Sequence, residues 1–507
     1  MADQDPAGSI SRIDRNRRKD HMLGYICKYA PIEVFLSMGT EMKRIEPSVT
    51  NFTQADMKMH PNICSFAKGV LEDVLANDYE GVILTTCCDS IRRLYDVLKA
   101  ELPDKFIYIL DTPRITKEAG ITLYENRIRK MIQAYETFSG KTFQEEALGE
   151  LLKQHKEAQS IQLKPGKKNI GIAGARANEA ILHILNEKGA NVAFDLTCTG
   201  LMRKYILEPG QILTGLYKRA VKPVPLVCAW KLLPAETSVI SRYAQSADGI
   251  IYHTVQFCDN YSYEYAWLKN VLNRPMLQLE TDYTKQSYGQ VLTRIEAFLE
   301  SLTPTGPSKS PKRKDITETM YVMGIDSGST STNAVIMNEN REIVASAVVR
   351  TGAKSGESAQ KILNEILQKA GCSREDISWI VSTGYGRVSI PFADENVTEI
   401  SCHGRGAHYF NPKVRTILDI GGQDSKAIRL NEAGEVADFV MNDKCAAGTG
   451  RFLEMIARTL EIDVDELGPI ALKSTEDIEI TSMCSVFAES EVISLIANNK
   501  ENQILPT

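Results

Sequence analysis

Short apolar, β-branched runs alternate with amphipathic stretches in the N-terminal part of the chain, and this alternation restricts the possible folds most strongly. The runs with the composition of buried strands are 81–86, 105–111, 169–175, 191–197, 249–255 and 276–280. Amphipathic segments such as 90–102 lie between them. Strands and helices in alternation are typical of doubly wound parallel sheets. A polar stretch at 153–168 separates two groups of strands. We therefore predict one domain over 22–302, with lobes of about 22–160 and 165–302.

The other boundaries follow from local composition. The segment 303–319 is rich in proline and basic residues and has no apolar periodicity, which predicts a solvated linker. Residues 1–21 mix arginine with aspartate, and we expect a disordered leader there instead of a targeting peptide. After the linker, three strand-like runs and a helix pattern are followed by a similar opening from Thr416. This repetition predicts a duplicated domain, with halves of about 320–413 and 414–507.

Charge and hydropathy narrow the class of protein further. The 59 Lys and Arg residues against 65 Asp and Glu residues give a net charge of −6, which argues against nucleic-acid or anionic-membrane partners. No apolar run approaches the roughly 20 residues of a membrane span, and the N-terminus has no apolar signal core. We therefore expect a cytoplasmic protein. Its 11 cysteines are an odd number without a signal sequence, so we expect reduced thiols and no disulfide framework.

Two segments have the pattern of phosphate-binding turns. GIDSGSTSTNAV at 324–335 and LDIGGQDSKAI at 418–428 each combine a strand that ends in aspartate, a turn of small residues and a second strand. Glycine lets the backbone approach a phosphate, and N–H and hydroxyl groups form an anion cradle. Asp326 and Asp419 are the candidate catalytic residues, because such carboxylates hold Mg²⁺ through water or orient the attacking water. The candidate nucleotide-binding residues are Gly328, Ser329, Thr330, Ser331, Gly421, Gly422, Gln423 and Asp424. Two equivalent hairpins in a duplicated domain favour a nucleotide site over ordinary hairpins.

These turns resemble the two phosphate loops of the actin, sugar-kinase and heat-shock-chaperone ATPase superfamily. Further segments, STGYGR (382–387), SCHGRGA (401–407), NDKCAAGTGRF (442–452) and VFAESEV (486–492), resemble one branch of it closely. That branch is the activator ATPases of 2-hydroxyacyl-CoA dehydratases and benzoyl-CoA reductases. The resemblance implies ATP and Mg²⁺ as ligands of the domain over 320–507. The resembled ATPases continue with more strand–helix pairs, so we expect the second half, and the adenine side of the pocket, to be incomplete here.

Two cysteines of this domain each precede an amphipathic pattern. Cys445 and Cys484 are therefore expected at helix starts, where the helix N-terminus lowers a thiolate pKa. Two cysteines cannot complete a four-thiolate set. The resemblance implies one [4Fe–4S] cluster shared between two chains, and hence a homodimer; helix-capping or core cysteines are the alternative. Cys402 is not a ligand by this resemblance, and we expect a buried thiol.

Cysteines of the N-terminal part lie at or near the edges of the predicted sheets. Cys87, Cys88, Cys198 and Cys258 end or follow predicted strands, and Cys27, Cys64 and Cys228 lie in loops or at helix starts near comparable edges. In open α/β sheets the carboxyl ends of the strands form the ligand crevice, so several of these thiols can converge on one site. Any one of them alone is better explained as an ordinary core cysteine, whereas six together favour a common site. Thiolate ligation without histidine favours iron–sulfur over catalytic zinc.

The surrounding segments add a second resemblance. GYICKYAPIEVFLSMG, CSFAKGVLEDV, TTCCDSIRRLYDVL, DLTCTG and FCDNYSYEY resemble the D-component, or β-subunit-like, family of 2-hydroxyacyl-CoA dehydratases. Within it they look most like the double-cubane cluster proteins, in which six cysteines of one chain bind [8Fe–9S]. The ligands that this resemblance implies are Cys27, Cys64, Cys88, Cys198, Cys228 and Cys258. Cys88 is preferred to Cys87 because the family pattern is Cys-Asp.

Together the two parts predict two doubly wound, Rossmann- or flavodoxin-like lobes followed by an actin-type ATPase with duplicated halves. The implied function is ATP-dependent low-potential electron transfer in anaerobic metabolism. A ferredoxin or flavodoxin would be the donor, and a small molecule or an acyl-CoA the substrate. One alternative is an (R)-2-hydroxyacyl-CoA dehydratase with its own activator, in which a [4Fe–4S] cluster binds the thioester carbonyl. Another is an activator fused to an inert scaffold, or a truncated and inactive product.

Overall fold

Two compact units make up the chain, Met1–Ile295 and Glu296–Thr507. The computed structural model describes residues 22–27, 30–113, 118–154, 162–176, 179–197, 240, 243–284, 288–302, 321–352, 355–442, 448–473 and 485–497. Both units combine helices with β-sheets, and the strand order within each sheet defines the fold.

The first unit contains two parallel sheets of four strands each. One has the order β2-β1-β3-β4, with strands Met22–Tyr25 (β1), Glu41–Arg44 (β2), Gly81–Thr85 (β3) and Phe106–Leu110 (β4). The other has the order β6-β5-β7-β8, with strands Asn169–Gly174 (β5), Asn191–Asp195 (β6), Gly249–Val255 (β7) and Met276–Thr281 (β8). In both sheets the order reverses between the first and third strands, as in flavodoxin-like folds. The prediction of two doubly wound lobes is confirmed.

Helices connect these strands. They are Ile32–Ser37 (α1), Thr53–Lys58 (α2), Ser65–Ala76 (α3), Asp89–Glu101 (α4), Glu118–Ser139 (α5), Glu145–Gln154 (α6), Glu179–Glu187 (α7), Asp259–Val271 (α8) and Tyr288–Ser301 (α9). Strand β3 is buried along its whole length, and its alternate residues enter different cores. Val82 and Leu84 pack with Leu94 of α4, whereas Ile83 packs with Tyr135 of α5. Helices therefore cover both faces of the sheet, which explains its continuous apolar strand sequences.

The second unit begins with a five-stranded sheet of order β11-β10-β9-β12-β13. Its strands are Tyr321–Ser327 (β9), Ser331–Met337 (β10), Ile343–Arg350 (β11), Ile377–Thr383 (β12) and Glu395–Asn396 (β13). The first three are antiparallel, and β12 runs parallel to both β9 and β13. The antiparallel opening is repeated by Thr416–Ile420 (β14), Ser425–Leu430 (β15) and Val436–Asn442 (β16). The predicted actin-type duplication is therefore confirmed.

Helices of the second unit follow the strands. They are Ser355–Ala370 (α10), Glu399–Phe410 (α11), Gly450–Thr459 (α12), Val464–Ala471 (α13) and Ser485–Ala497 (α14). The boundary between the compact units falls inside α9, before the linker predicted at 303–319. Ala297, beyond this boundary, packs with Ile400 and Ile428 in a core of the second unit. None of the helices in the described ranges combines the length and the apolar character that crossing a membrane requires.

Candidate functional site

Four described thiols of the first unit lie where the strand order of a sheet reverses. In the first sheet, Cys27 follows β1, and Cys87 with Cys88 follows the neighbouring strand β3. In the second sheet, Arg176 and Cys258 follow the equivalent neighbours β5 and β7. Open parallel sheets bind their ligands at the carboxyl ends of the strands at this reversal. Each lobe thus presents cysteine or arginine at its expected ligand position.

These strand ends line one cavity of about 100 Å³. Its thiols are those of Cys27, Cys64, Cys87, Cys88 and Cys258. Apolar side chains such as Phe66 and Val255 form most of the remaining wall, together with Tyr261, Tyr283 and Arg176. Among the residues that the structure describes, no histidine or carboxylate lines this cavity. Four of the six predicted ligands therefore surround one space, and the other two, Cys198 and Cys228, lie outside the described residues.

Three helices begin at this cavity. Cys64, Cys88 and Cys258 are the residues immediately before α3, α4 and α8. None of the three thiols forms a regular capping hydrogen bond, yet first-turn N–H groups of these helices favour each thiolate. A helix N-terminus carries about half a positive charge. The three N-termini therefore favour an anionic ligand in the cavity.

The thiols also interact with one another. A hydrogen bond from Cys258 lowers the pKa of Cys64 against the opposing effect of burial, and the same bond raises the pKa of Cys258. Hydrogen bonding with Cys27 and Cys88, together with burial, raises the pKa of Cys87. The hydrogen bond from Cys87 lowers the pKa of Cys88. The hydrogen bonds between the thiols therefore lower the pKa values of Cys64 and Cys88 and raise those of Cys87 and Cys258.

Arg176 is a buried cation on the wall of the same cavity, with 6% of its surface exposed. Its guanidinium donates to the carbonyl oxygens of Ile26 and Ile45, the latter at 3.1 Å, and pairs with the Glu46 carboxylate. The guanidinium carbon lies 4.7 Å from the centre of the Phe66 ring. Sequence analysis did not single out this arginine, because its partners come from the other lobe.

The donor set of the cavity fits an iron–sulfur group. Within the described part of the chain, no three His, Cys, Asp or Glu side chains are grouped tightly enough to hold a single metal ion. The thiols are instead distributed around the cavity wall. Soft thiolates without imidazole or carboxylate are the ligands that iron–sulfur clusters use. Because a cluster has several irons, its ligands need not meet at one point.

A cleft of about 170 Å³ lies in the second unit, between the turns that follow β9 and β14. It is lined by all the predicted catalytic and nucleotide-binding residues: Asp326, Gly328, Ser329, Thr330, Ser331, Asp419, Gly421, Gly422, Gln423 and Asp424. A Cβ atom on Gly422 would lie 2.7 Å from Thr330 Oγ1, so the two turns approach closely at a position where only glycine fits. The structure brings the predicted residues together, and their individual roles stay predictions.

Six further residues line the cleft and were not predicted to act there: Asn333, Gly384, Tyr385, Glu399, His403 and Lys426. Lys426 pairs across the β14–β15 ladder with Asp419, and its Nζ lies 3.4 Å from Asp419 Oδ2. His403 Nδ1 lies 2.8 Å from the same carboxylate oxygen. The sequence signal for Lys426 is the hairpin register, since residues equally far from a turn face each other across the ladder. His403 reaches the cleft from helix α11, and it lies in the segment SCHGRGA (401–407) that carries the family resemblance.

The surroundings of Asp326 and Asp419 give the two carboxyl groups different pKa values. Burial raises the pKa of Asp326, although the charges of His403 and Lys426 oppose this shift. Burial also acts on Asp419, but the hydrogen bond and charge of His403, with the charge of Lys426, lower its pKa overall. The hydrogen bond to Asp419 in turn raises the pKa of His403. Asp419 is therefore held ionised, whereas Asp326 is the more easily protonated of the two.

The loop aspartate Asp424 is held from two sides. Tyr385 donates its hydroxyl to Asp424 Oδ2 at 2.8 Å, and Lys426 Nζ donates to Oδ1 at 2.9 Å. Burial alone would lower the pKa of Lys426, but the hydrogen bond and charge of Asp424, together with the charge of Asp419, raise it. Lys426 is thus a charged residue that fixes the second turn.

The other predicted ligands, Cys445 and Cys484, lie outside the described residues. The described helix that follows Cys445, α12, begins at Gly450, after Thr449 and after Gly448 with a φ of 77°. A left-handed residue cannot belong to a regular helix. Helix α14 begins at the residue after Cys484, and Val492 of α14 packs with Ile456 of α12. In the same unit, burial raises the pKa of Cys402 to about 11.

The fold and these two sites define a class: a doubly wound domain with a thiol-lined cavity, joined to a duplicated ATPase-type unit with a phosphate-loop cleft. Comparison with known proteins specifies both parts. The family described as 2-hydroxyglutaryl-CoA dehydratase, D-component, matches residues 27–167 and 159–302. The BadF/BadG/BcrA/BcrD ATPase family matches residues 323–505. The chain therefore belongs to the dehydratase D-component family over more than half its length and to this ATPase family over its second part, which confirms both resemblances.

Individual relatives agree with this division. The activator of lactoyl-CoA dehydratase from Anaerotignum propionicum is 50% identical over 179 residues, which cover 35% of this chain and 69% of the relative. The (R)-phenyllactyl-CoA dehydratase beta subunit from Clostridium sporogenes is 23% identical over 342 residues, covering 55% of this chain and 91% of the relative. A solved activator of the 2-hydroxyisocaproyl-CoA dehydratase from Clostridium difficile, with bound ADPNP, is 46% identical with a TM-score of 0.34. That match covers 36% of this chain and 69% of the activator.

Proposed function

We propose that this chain uses ATP hydrolysis in its second unit to drive low-potential electron transfer onto an iron–sulfur group held by the first unit. One observation carries the proposal. Thiols from both lobes surround a single cavity, at three helix N-termini, in a chain whose other part belongs to an ATPase family. Because the ATPase unit and the unit with the cavity belong to one chain, each has a high effective concentration for the other.

The ligand set of the first unit combines both lobes. In this proposal Cys27, Cys64, Cys88 and Cys258 bind the group together with Cys198 and Cys228, and six thiolates suit [8Fe–9S]. When bound, such groups supply one-electron chemistry at potentials set by charge, hydrogen bonds and solvent exposure. The lowered pKa values of Cys64 and Cys88 favour their thiolates, which are the form that binds metal. Cys87 lines the same cavity beside the proposed ligand set.

A second ligand pair belongs to the ATPase unit. We propose that Cys445 and Cys484 contribute two thiolates to a [4Fe–4S] cluster, and that a second copy of the chain contributes the other two. Helices α12 and α14, which follow these cysteines, pack against each other. This packing supports the proposal that the two cysteines act as a pair. The proposed assembly is accordingly a homodimer, with a reduced ferredoxin or flavodoxin as its electron donor.

The cleft residues have distinct roles in nucleotide turnover. The two turns bind phosphate oxygens through backbone N–H and hydroxyl groups. Asp419, held ionised by His403 and Lys426, is suited to hold Mg²⁺ through water. Asp326, with its raised pKa, is suited to orient the attacking water. Each 59 mV of uphill one-electron transfer costs about 1.4 kcal/mol, and nucleotide hydrolysis supplies this driving force.

A second candidate function is supported by the similarity to the phenyllactyl-CoA dehydratase beta subunit. In it, the chain is an (R)-2-hydroxyacyl-CoA dehydratase with its own activator, and the cavity holds a [4Fe–4S] cluster. The acceptor of the electron then is an acyl-CoA, whereas the first proposal has a small-molecule acceptor. The two proposals predict different iron contents.

The test uses the full chain, reconstituted anaerobically, with iron and acid-labile sulfide measured per chain. An [8Fe–9S] group with a shared [4Fe–4S] predicts about ten irons per chain, and the dehydratase-type cluster predicts about six. Cys64→Ala should remove the larger part of the iron, and Cys445→Ala about two irons per chain. Cys372→Ala is the matched control, because this partly buried thiol lies apart from both ligand sets.

Electron transfer is then followed by EPR on the dithionite-reduced chain. MgATP, but not a non-hydrolysable analogue, should shift electrons from the Cys445-dependent signal to the Cys64-dependent signal. The Cys372→Ala protein should behave like the unchanged chain. Full iron content in Cys64→Ala, or signals that never respond to MgATP in a fully loaded chain, would contradict the proposal.

A further inference from the structure

Arg176 contributes a fixed positive charge to the thiol cavity. The side chain is buried and lines the cavity, and its guanidinium has three hydrogen-bonding partners on the first lobe. Arginine is charged at all relevant pH values, and its planar fork holds several acceptors at once. A buried charge in a low-dielectric site acts strongly on its neighbours. Any anionic group in this cavity is therefore bound beside a permanent cation.

The contacts of Arg176 lead directly to two of the proposed ligands. Ile26, whose carbonyl oxygen accepts from the guanidinium, immediately precedes Cys27. Phe66, which stacks against the guanidinium, lies in the first turn of α3, just after Cys64. The backbone of Arg176 is anchored as well, because Tyr283 donates its hydroxyl to the Arg176 carbonyl oxygen at 3.1 Å. One residue of the second lobe thus fixes both thiol-bearing segments of the first.

The charge of Arg176 is balanced by a residue at the edge of the site. Glu46 pairs with the guanidinium, and its side chain is 32% exposed, so solvent screens this carboxylate. Glu46 also lies 3.3 Å from Arg44 Nε. The cation is therefore buried at the cavity, whereas its partner is partly in water. Of the two charges, that of Arg176 acts more strongly inside the cavity.

We propose that Arg176 is a positioning residue that orients the Cys27 and Cys64 segments and raises the reduction potential of the group bound in the cavity. The inference rests on the proposed function, because it assumes that the cavity holds an anionic iron–sulfur group. Reduction adds a negative charge, and a neighbouring cation stabilises the more negative state. Arg176 therefore sets how far uphill each electron must be driven.

The test is a spectroelectrochemical titration of the full, anaerobically reconstituted chain. Arg176→Met keeps an apolar stem beside Phe66 but removes the charge. We expect near-normal iron and sulfide, with the reduced-to-oxidised ratio at a fixed potential about tenfold lower, which corresponds to 59 mV for one electron. Arg176→Lys should restore most of that ratio. Glu46→Gln should shift the ratio in the opposite direction, because the cation then loses its counter-charge.

Arg127→Met is the matched control. Arg127 also donates to a backbone carbonyl and pairs with a carboxylate, both of Asp111, but it does not line the cavity. Its replacement should leave the potential unchanged. Equal potentials in Arg176→Met and the unchanged chain would overturn the inference. If the Arg176→Met chain fails to bind iron, Glu46→Gln and Arg176→Lys decide the test instead. An unchanged reduction potential in Glu46→Gln, or an Arg176→Lys chain that binds no more iron than Arg176→Met, would overturn the inference. A chain without cavity iron before any substitution refutes the proposed function instead.

Discussion

Gly384 is the position where a single methyl group should most clearly disable the nucleotide cleft. It follows β12 with a φ of 81°, and an added Cβ would lie 2.4 Å from Asp326 Oδ1 and 2.6 Å from the Ser327 carbonyl oxygen. The left-handed conformation costs a non-glycine residue about 1–2 kcal/mol. Overpacking against the Ser327 backbone adds about 1–3 kcal/mol. We therefore expect Gly384→Ala to destabilise the second unit by roughly 2–5 kcal/mol and to displace the Asp326 carboxylate.

Gly352 separates the two contributions. Its φ is 64°, but nothing lies within 4 Å of an added Cβ, so Gly352→Ala carries the conformational cost of about 1–2 kcal/mol alone. Both variants are compared by urea denaturation of the full chain and by MgATP turnover. Turnover should fall at least tenfold in Gly384→Ala and stay within about twofold in Gly352→Ala. Equal destabilisation by the two substitutions, or normal turnover in Gly384→Ala, would show that the contact with Asp326 does not constrain the cleft.

Three further predictions concern single side chains. Cys88→Ser should lower the reconstituted iron content by about four or more atoms per chain, whereas Cys87→Ser should leave it unchanged; the opposite ranking would make Cys87 the ligand. The pKa of His403 is raised above its ordinary 6.5, so the stability that it contributes is complete below that pH and lost as pH rises through the raised pKa. His403→Asn should therefore cost up to about 1 kcal/mol more at pH 6 than at pH 9 in urea denaturation, and a constant difference would contradict this. Tyr385→Phe removes a hydroxyl that donates to the loop carboxylate and should weaken MgATP binding about fivefold by calorimetry, while an unchanged affinity would show that this bond is dispensable.

Strands that are buried on both faces were predictable from the sequence. The run 249–255 coincides with β7, all of whose residues are buried, because a strand covered on both sides needs a continuous apolar sequence. Strands β1 and β2 were missed for the converse reason. Strand β2 has the sequence EMKR, lies at the edge of its sheet and is half exposed, and β1 has four residues. Neither of these two strand sequences has a hydrophobic pattern that distinguishes it from a loop.

Site residues that directly follow a predicted strand could be predicted from the sequence. Site residues whose contacts are distant in sequence could not. The phosphate turns and Cys258 are local features of this first kind. Arg176 is of the second kind, since 150 residues separate it from Ile26. Tertiary contacts of this type are set by the packing of the whole domain, and no local sequence pattern encodes them.

The division of the cavity between two lobes has a consequence for the lifetime of the protein. Cys27, Cys64 and Cys88 come from the first sheet's side and Cys258 from the second, so a bound group would cross-link segments that are distant in sequence. A ligand that binds only the folded state stabilises it by an amount that grows with the logarithm of the free ligand concentration relative to Kd. Oxidative loss of the group would therefore also weaken the association of the two lobes. Under the proposed function, the event that ends electron transfer would therefore also make the first unit more accessible to proteases.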